Sequence, residues 1–393
     1  MNVVFGLIFL LVTLPAVYLG MLALAAIPNR RVAPSAQPRH RFAIAIPAHN
    51  EESVIGQTVS MIKKMDYAPD LFDVLVVADH CSDQTVEIAR EAGALAYERQ
   101  EEPRGSKGAA LRWLFQRTLE GSSYDAVIIF DADTHVAPDF LRIMDARLAQ
   151  GDQVIQGQHR IRNPEDGWFP ALTWAMFLVD NRLQNQSRSN LGWSAKNMGD
   201  SICLRADVLR QLGWGEGLTE DYAFRHRLML EGIRIRYEPS AVGLGEAPLT
   251  WKTARVQRAR WLRGTTDASQ HYARQLWREG LRRCDLALLD GALQARLPSY
   301  STLTLIALVF GMLQGLGWLF SYASAPIGWL GLLCLLTAYP LWGLALERAP
   351  FKAYLVMLSG PVFILWRTWL AATSRFGQRQ VKWVRTPRKA QQG

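Results

Sequence analysis

Long charge-free apolar stretches at the two ends of the chain enclose a middle in which short apolar runs alternate with amphipathic ones. Val3 to Ile27 carries no charged residue and exceeds the roughly 20 residues needed to cross a bilayer core. Tyr300 to Tyr322 and Ile327 to Leu346 are also free of formal charge and meet at Ala325-Pro326, so they read as a helical hairpin in lipid. A last apolar stretch from Ala353 is interrupted by Gly360-Pro361 and acquires Arg367, which suits a re-entrant or interfacial segment over 347–374. Between Arg41 and Gly264 no window is apolar enough to span. Strands are expected at Phe42 to Ile46, Val74 to Ala78, Leu95 to Tyr97, Ala126 to Phe130 and Val154 to Gln156. Helical stretches at Glu51 to Lys64, Gln84 to Ala92, Lys107 to Leu119 and Pro138 to Ala149 lie between them. Such alternation predicts an α/β domain with a mainly parallel sheet. The division is then an anchor at 1–29, a folded domain at 40–270, an interfacial helical segment at 271–299, the hairpin at 300–346, the segment at 347–374 and a basic tail at 375–393.

Charge orients this arrangement. The 393-residue chain is 49% hydrophobic with a formal charge of +9, a balance that suits an anionic partner or an anionic membrane surface. The charges fall beside the spans: Arg30, Arg31, Arg39 and Arg41 follow the first one at once, and the tail carries Arg375, Arg379, Lys382, Arg385, Arg388 and Lys389. The positive-inside tendency places the folded domain and the tail in the cytoplasm, with three full crossings of a cell membrane, most simply a bacterial inner membrane. Membrane lipid is thus a partner, and nucleic acid is not. A cleaved signal peptide is the alternative for the first span, with Ala23-Leu24-Ala25 imitating a cleavage site, but a basic leading region is missing and the apolar run is too long. Cys81, Cys203, Cys284 and Cys334 are too scattered for a zinc site or a disulfide framework and fit a reducing compartment.

Ligands of parallel sheets bind at the carboxyl ends of strands, which directs attention to Asn50-Glu51, Asp79 and Asp131-Ala132-Asp133. The last pair leaves a buried strand with one small residue between the carboxylates. It can hold one hard cation, since Mg2+ or Mn2+ takes one or two protein carboxylates and completes its shell with phosphate oxygens and water; a solvated turn is the alternative. Asp79 could accept from a base edge or a ribose, whereas Ser82 and Asp83 read as caps of the following helix. Thr219-Glu220-Asp221 opens a helical stretch through Leu230, and capping competes there with a role as general base. Gln257-Arg258-Ala259-Arg260-Trp261 holds an amide, two guanidiniums and an indole within five residues. Arg260 could grip a diphosphate and Trp261 could stack on a sugar, or the segment could be an interfacial amphipathic helix.

In chain order these motifs resemble the membrane-bound branch of the family-two inverting glycosyltransferases, which contains the cellulose, chitin and hyaluronan synthases. The likeness covers Phe42 to Gly264 and is carried by Pro47-Ala48-His49-Asn50-Glu51-Glu52, by Asp79 with Ser82-Asp83-Gln84-Thr85, by Gly105-Ser106-Lys107-Gly108-Ala109-Ala110-Leu111, by Asp131-Ala132-Asp133, by Thr219-Glu220-Asp221 and by Gln257 through Trp261. The resemblance implies a GT-A (Rossmann-like) domain acting on a nucleotide-diphosphate sugar with Mg2+ or Mn2+. It implies Asp221 as catalytic base and Asp133 as metal ligand. Asn50, Glu51, Asp79, Lys107, Asp131, Gln257 and Arg260 fall on the donor side, with Asp79 at the base and Gln257 and Arg260 at the diphosphate. Trp261, Gly199 and Asp200 fall on the acceptor side. A UDP-sugar is the expected donor, although the family usually has two successive aspartates where this chain has Ala78-Asp79. The implied acceptor is a saccharide or a lipid-linked molecule in exopolysaccharide or cell-surface glycan synthesis. A glycolipid synthase of the ceramide-glucosyltransferase type and a non-catalytic secretion subunit are the alternatives.

Overall fold

The computed structural model describes residues 2–102, 106–215 and 219–376. Gly105 and the tail beyond Phe376 lie outside the described residues. The apolar runs of the middle segment become strands because their side chains find cover on both faces. In β1 (Phe42–Ala48) and β2 (Phe72–Asp79), Ile44, Ile46, Val74 and Val76 join one core, and Ala43, Ala45, Leu75 and Val77 join another on the opposite face. This is the period-2 alternation of a sheet buried on both sides. β3 (Leu95–Arg99) and β4 (Ala126–Ile129) complete a parallel half, with Ile44 opposite Val74 on one side and Ile128 on the other.

The sheet does not stay parallel. β7 (Ile202–Arg205) runs antiparallel between β4 and β6 (Val154–Ile161), β8 (Ile235–Gly245) pairs parallel with β6, and the short β5 (His135–Val136) pairs antiparallel with β8. The order is β3-β2-β1-β4-β7-β6-β8-β5. A register shift at Gly157/Gln158 bends β6. Only glycine fits there, because a Cβ on Gly157 would stand 2.7 Å from the Ala241 carbonyl and 2.9 Å from that of Ser201.

α1 is Asn2–Ala25. In the folded domain, α2 (Ile55–Lys63), α3 (Thr85–Glu91), α4 (Lys107–Thr118) and α5 (Phe140–Ala149) follow the strands as the pattern predicts. α6 (Trp168–Asp180) continues through a π-helical stretch, Asn181–Gln186, into α7 (Ser187–Asn190). α8 (Ala206–Leu212) and α9 (Glu220–Leu230) complete the domain. The 32-residue α10 (Trp251–Arg282) and α11 (Leu286–Arg296) lead to α12 (Tyr300–Leu319) and α13 (Ile327–Leu346). α1, α12 and α13 are long and apolar enough to cross a membrane, and Val12, Ala16, Leu303, Ala307 and Trp329 pack between them. Their outward faces carry exposed Leu7, Leu11, Leu14, Met312, Leu316 and Leu330.

The chain after α13 breaks into α14 (Phe351–Met357) and α15 (Gly360–Phe376), bent by 52°. Pro361 lies in the first turn of α15, where a missing amide hydrogen costs no helical bond. α6 was not expected as a separate element. It is apolar enough to pack its Ala175 and Leu178 against Leu344 of α13 and Ala353 of α14, so the folded domain and the apolar helices share a core.

Candidate active site

The carboxyl ends of β1, β2 and β4, the start of α9 and one face of α10 line a single cavity of about 2110 Å³. Asp79, Lys107, Asp131, Asp133, Gly199, Asp200, Asp221, Gln257, Arg260 and Trp261 all reach its wall, as does Glu51. Asn50 turns elsewhere. Its backbone is left-handed (φ 54°), and its side-chain oxygen accepts from the Ser82 amide at 2.8 Å, which ties the β1 loop to the β2 loop. Asp83 behaves as a cap: it accepts from the Thr85 amide at 3.1 Å and from the Glu52 amide at 3.2 Å.

Asp79, at the end of β2, is buried, and one of its oxygens accepts from Arg99 at 2.6 Å and meets His80 Nδ1 at 3.0 Å. Lys107, in the first turn of α4, donates to the Asp131 carboxylate and to the Gly199 carbonyl at 2.6 Å. Burial works against its charge, but Asp131, then Asp200 and Glu220, outweigh it and hold the ammonium pKa above its ordinary value. Lys107 thereby bridges the β4 carboxylate end to the turn before β7.

Asp200 is the keystone of that turn. Its Oδ1 accepts from the Asp131 amide at 3.0 Å and the Thr134 hydroxyl at 2.9 Å; its Oδ2 meets His159 Nδ1 at 2.6 Å and accepts from Ser201 at 3.0 Å. Burial opposes ionisation, yet the His159 hydrogen bond, then that ring's charge and Lys107, hold Asp200 down to about 2. His159 is raised in return, its own burial outweighed by Asp200. Asp200 therefore shapes the Asp131-Ala132-Asp133 loop, and its oxygens are spent on the protein. Nothing in the local sequence pairs it with His159, because β6 runs five residues past its expected end at Gln156.

Asp133 is 6% exposed and faces the cavity. Among the described residues no three His, Cys, Asp or Glu side chains converge to hold a metal ion on their own. Two carboxylates on a strand end at an open cavity nevertheless fit a cation that takes its other ligands from phosphate and water, as Mg2+ and Mn2+ do.

Thr219-Glu220-Asp221 caps α9 only in part, through Asp221 Oδ1, which accepts from the Tyr222 amide at 2.8 Å. Thr219 occupies the N-cap position of α9 without a side-chain cap bond, and its hydroxyl is buried without a partner among the described residues. Burial raises the Asp221 carboxyl above its usual range. Glu220 beside it is pushed up to about 7, first by burial and then by Asp221. Gly199 passes so close that a Cβ there would stand 3.0 Å from Asp221 Oδ2. Lys107, Asp200 and Gly199 thus link the loop after β4 to the carboxylate that opens α9.

Residues 38–264 match the family model described as "Glycosyltransferase like family 2", which covers more than half of the chain. The probable glycosyltransferase YdaM of Bacillus subtilis is 26% identical over 234 residues, 57% of this chain and 55% of that protein. The beta-monoglucosyldiacylglycerol synthase of Trichormus variabilis is 27% identical over 252 residues, 58% of this chain and 52% of that one. The chain thus spans about half the length of these curated relatives. In fold it is similar to the mannosyltransferase PcManGT from Pyrobaculum calidifontis, solved with GDP-Man and Mn2+, at a TM-score of 0.57 and 17% identity over 96% of this chain and all of that one. The sheet and its flanking helices form a GT-A fold, and the chain belongs to the family-two glycosyltransferases.

Proposed function

We propose that the protein moves a sugar from a nucleotide-diphosphate donor to a lipid-linked or saccharide acceptor at the cytoplasmic membrane face, with inversion at the anomeric carbon. The observation that carries this reading is the single cavity that joins the carboxylates of β4 and α9 to Arg260 of α10 and runs on to Tyr18, Tyr300 and Tyr339 of the apolar helices. A water-soluble donor and an acceptor held at the membrane could meet in such a space.

Asp79 and Glu51 line the end that would take the nucleoside, with Asp79 fixed by Arg99. Gln257 and Arg260 would bind the diphosphate, and Asp131 and Asp133 would hold a divalent cation whose chemistry is charge compensation on the leaving group. Asp221 takes the proton of an acceptor hydroxyl as its oxygen bonds to the anomeric carbon, while the bond to the donor phosphate breaks and the nucleoside diphosphate leaves. A raised carboxyl is a stronger base near neutral pH than an ordinary one, and the burial of Asp221 serves that purpose. Trp261, exposed to the cavity, would line the acceptor side, whereas Asp200 acts through the loop it positions. The related diacylglycerol glucoside synthase supports a lipid acceptor without naming one.

Nucleotide release from a panel of UDP- and GDP-sugars by the purified full chain tests the reading; no release with any donor in the presence of Mg2+, Mn2+ and membrane lipid would overturn it. The cytoplasmic placement rests on the basic residues after α1. It predicts that the exposed Cys284 between α10 and α11 reacts with a membrane-impermeant thiol reagent only after cells are lysed. Labelling of intact cells would reverse the orientation.

A further inference from the structure

The cavity has a second wall, on the side of the apolar helices, where α6, α10 and the bent pair α14–α15 meet. It is lined by Leu172, Met176, Phe177, Met357, Phe363 and Ile364. Two guanidiniums, Arg258 and Arg367, enter this apolar wall. Arg258 lies over the Phe169 ring at 5.6 Å and the Phe363 ring at 5.2 Å, with Nη2 donating to Thr173 at 3.5 Å. Neither arginine is ion-paired with a carboxylate among the described residues. The one carboxylate acting on Arg367 from a distance, Asp180, is bonded to Lys196 at 2.5 Å. Burial first, and then the neighbouring Arg367, push Arg258 down to about 10.

Two like charges placed together in an apolar wall raise the free energy of the empty protein, and an anion between them removes that cost. The wall is too apolar for a purely aqueous ligand. We propose that Arg258 and Arg367 bind the phosphate of an anionic membrane lipid whose chains lie along the apolar wall of Met357, Phe363 and Ile364, and that a hydroxyl of its headgroup is the acceptor. This rests on the transfer reading of the Asp221 end. It separates a phosphate-bearing lipid from neutral lipid acceptors and from free sugars, since neither of those neutralises the pair. Lys196 and Asp180 pair with each other in the same cavity, which leaves the two guanidiniums without a carboxylate of their own among the described residues. Planar guanidiniums suit a phosphate with several acceptor oxygens.

The test uses the full chain in phosphatidylcholine nanodiscs carrying trace radiolabelled phosphatidylglycerol or diacylglycerol with the same chains. Retention after exchange into excess unlabelled phosphatidylcholine should favour phosphatidylglycerol. Arg258→Gln and Arg367→Gln should each weaken that retention about 10-fold or more, the scale of a lost charge-assisted hydrogen bond. The lysine variants of both positions should keep part of it and also control for folding. Equal retention of the two lipids, or unchanged retention in the double glutamine variant, overturns the proposal. Displacement of the lipid by millimolar inorganic phosphate alone would identify a free-phosphate site and overturn the lipid assignment. Donor binding, measured on the same samples, keeps the two readings apart. A protein that retains phosphatidylglycerol but releases no nucleotide from any donor loses the transfer reading and keeps the site. One that transfers sugar to diacylglycerol and not to phosphatidylglycerol loses the acceptor proposal alone.

Discussion

Gly199→Ala should slow turnover without weakening donor binding, and Gly192→Ala should do neither. The two glycines have the same backbone, φ 71° and 74°, so alanine at either position adopts a left-handed conformation. That conformation costs roughly 1–2 kcal/mol, partly offset by about 0.4–1 kcal/mol from a less flexible unfolded chain. Each variant should therefore lose about 1 kcal/mol of stability. They differ in what the new methyl group meets. Around Gly192 nothing lies within 4 Å, whereas at Gly199 the Cβ stands 3.0 Å from Asp221 Oδ2 and 3.5 Å from its Cγ. A contact of 3.0 Å forces the neighbour to give by a few tenths of an ångström. A misplacement of about 1 Å at a reacting group can cost about 100-fold, so a smaller shift should cost turnover about 10-fold. The assay is nucleotide release at saturating donor, with melting temperature and donor affinity measured on the same detergent preparations. Normal turnover in Gly199→Ala, or an equal loss in Gly192→Ala, would refute a tightly placed base at Asp221.

The other perturbations address separate parts of the site. Asp221→Asn should keep donor affinity and lower turnover about 100-fold or more, the scale of a lost general base; a normal rate at saturating donor would make this residue structural. The charge of Asp221 helps hold Glu220 up to about 7, so Asp221 ionises while Glu220 is still protonated, and Glu220→Gln should leave the acid limb of the kcat/KM profile in place. That limb falls as pH drops through the pKa of the base, which is active when ionised. A limb displaced to lower pH would show that Glu220 is already charged when the base ionises. Activity should disappear on exhaustive chelation and in Asp133→Ala, and full activity after chelation would sink the metal assignment. Arg260→Lys keeps the charge but loses the two-pronged geometry, so turnover should still drop; unchanged kinetics would return this stretch of α10 to an interfacial role.

The elements that depend on local pattern were readable from the chain alone. β1, β2 and β4 are apolar runs bounded by polar residues, α1, α12 and α13 are long charge-free runs, and each forms where its periodicity says it should. The motif order was equally legible, since Asp79 ends β2, Asp133 follows β4, and Asp221 and Arg260 lie on α9 and α10 at positions the chain itself marks. Local pattern failed where partners come from far away. β8 and β5 carry weak alternation of their own and become strands because β6 supplies an edge for β8, and β8 in turn one for β5. Thr219-Glu220-Asp221 looks like a helix cap in sequence and is one in part, and only the Thr219 hydroxyl, buried without a partner among the described residues, and the desolvated carboxylates show that it is more than that. Asp200 pairs with His159 across 41 residues, and Arg258 shares a wall with Arg367 from another helix. Periodicity is set by the backbone and travels with the sequence. Burial, and the charge states it imposes, are properties of a site that exists only once distant segments have packed together.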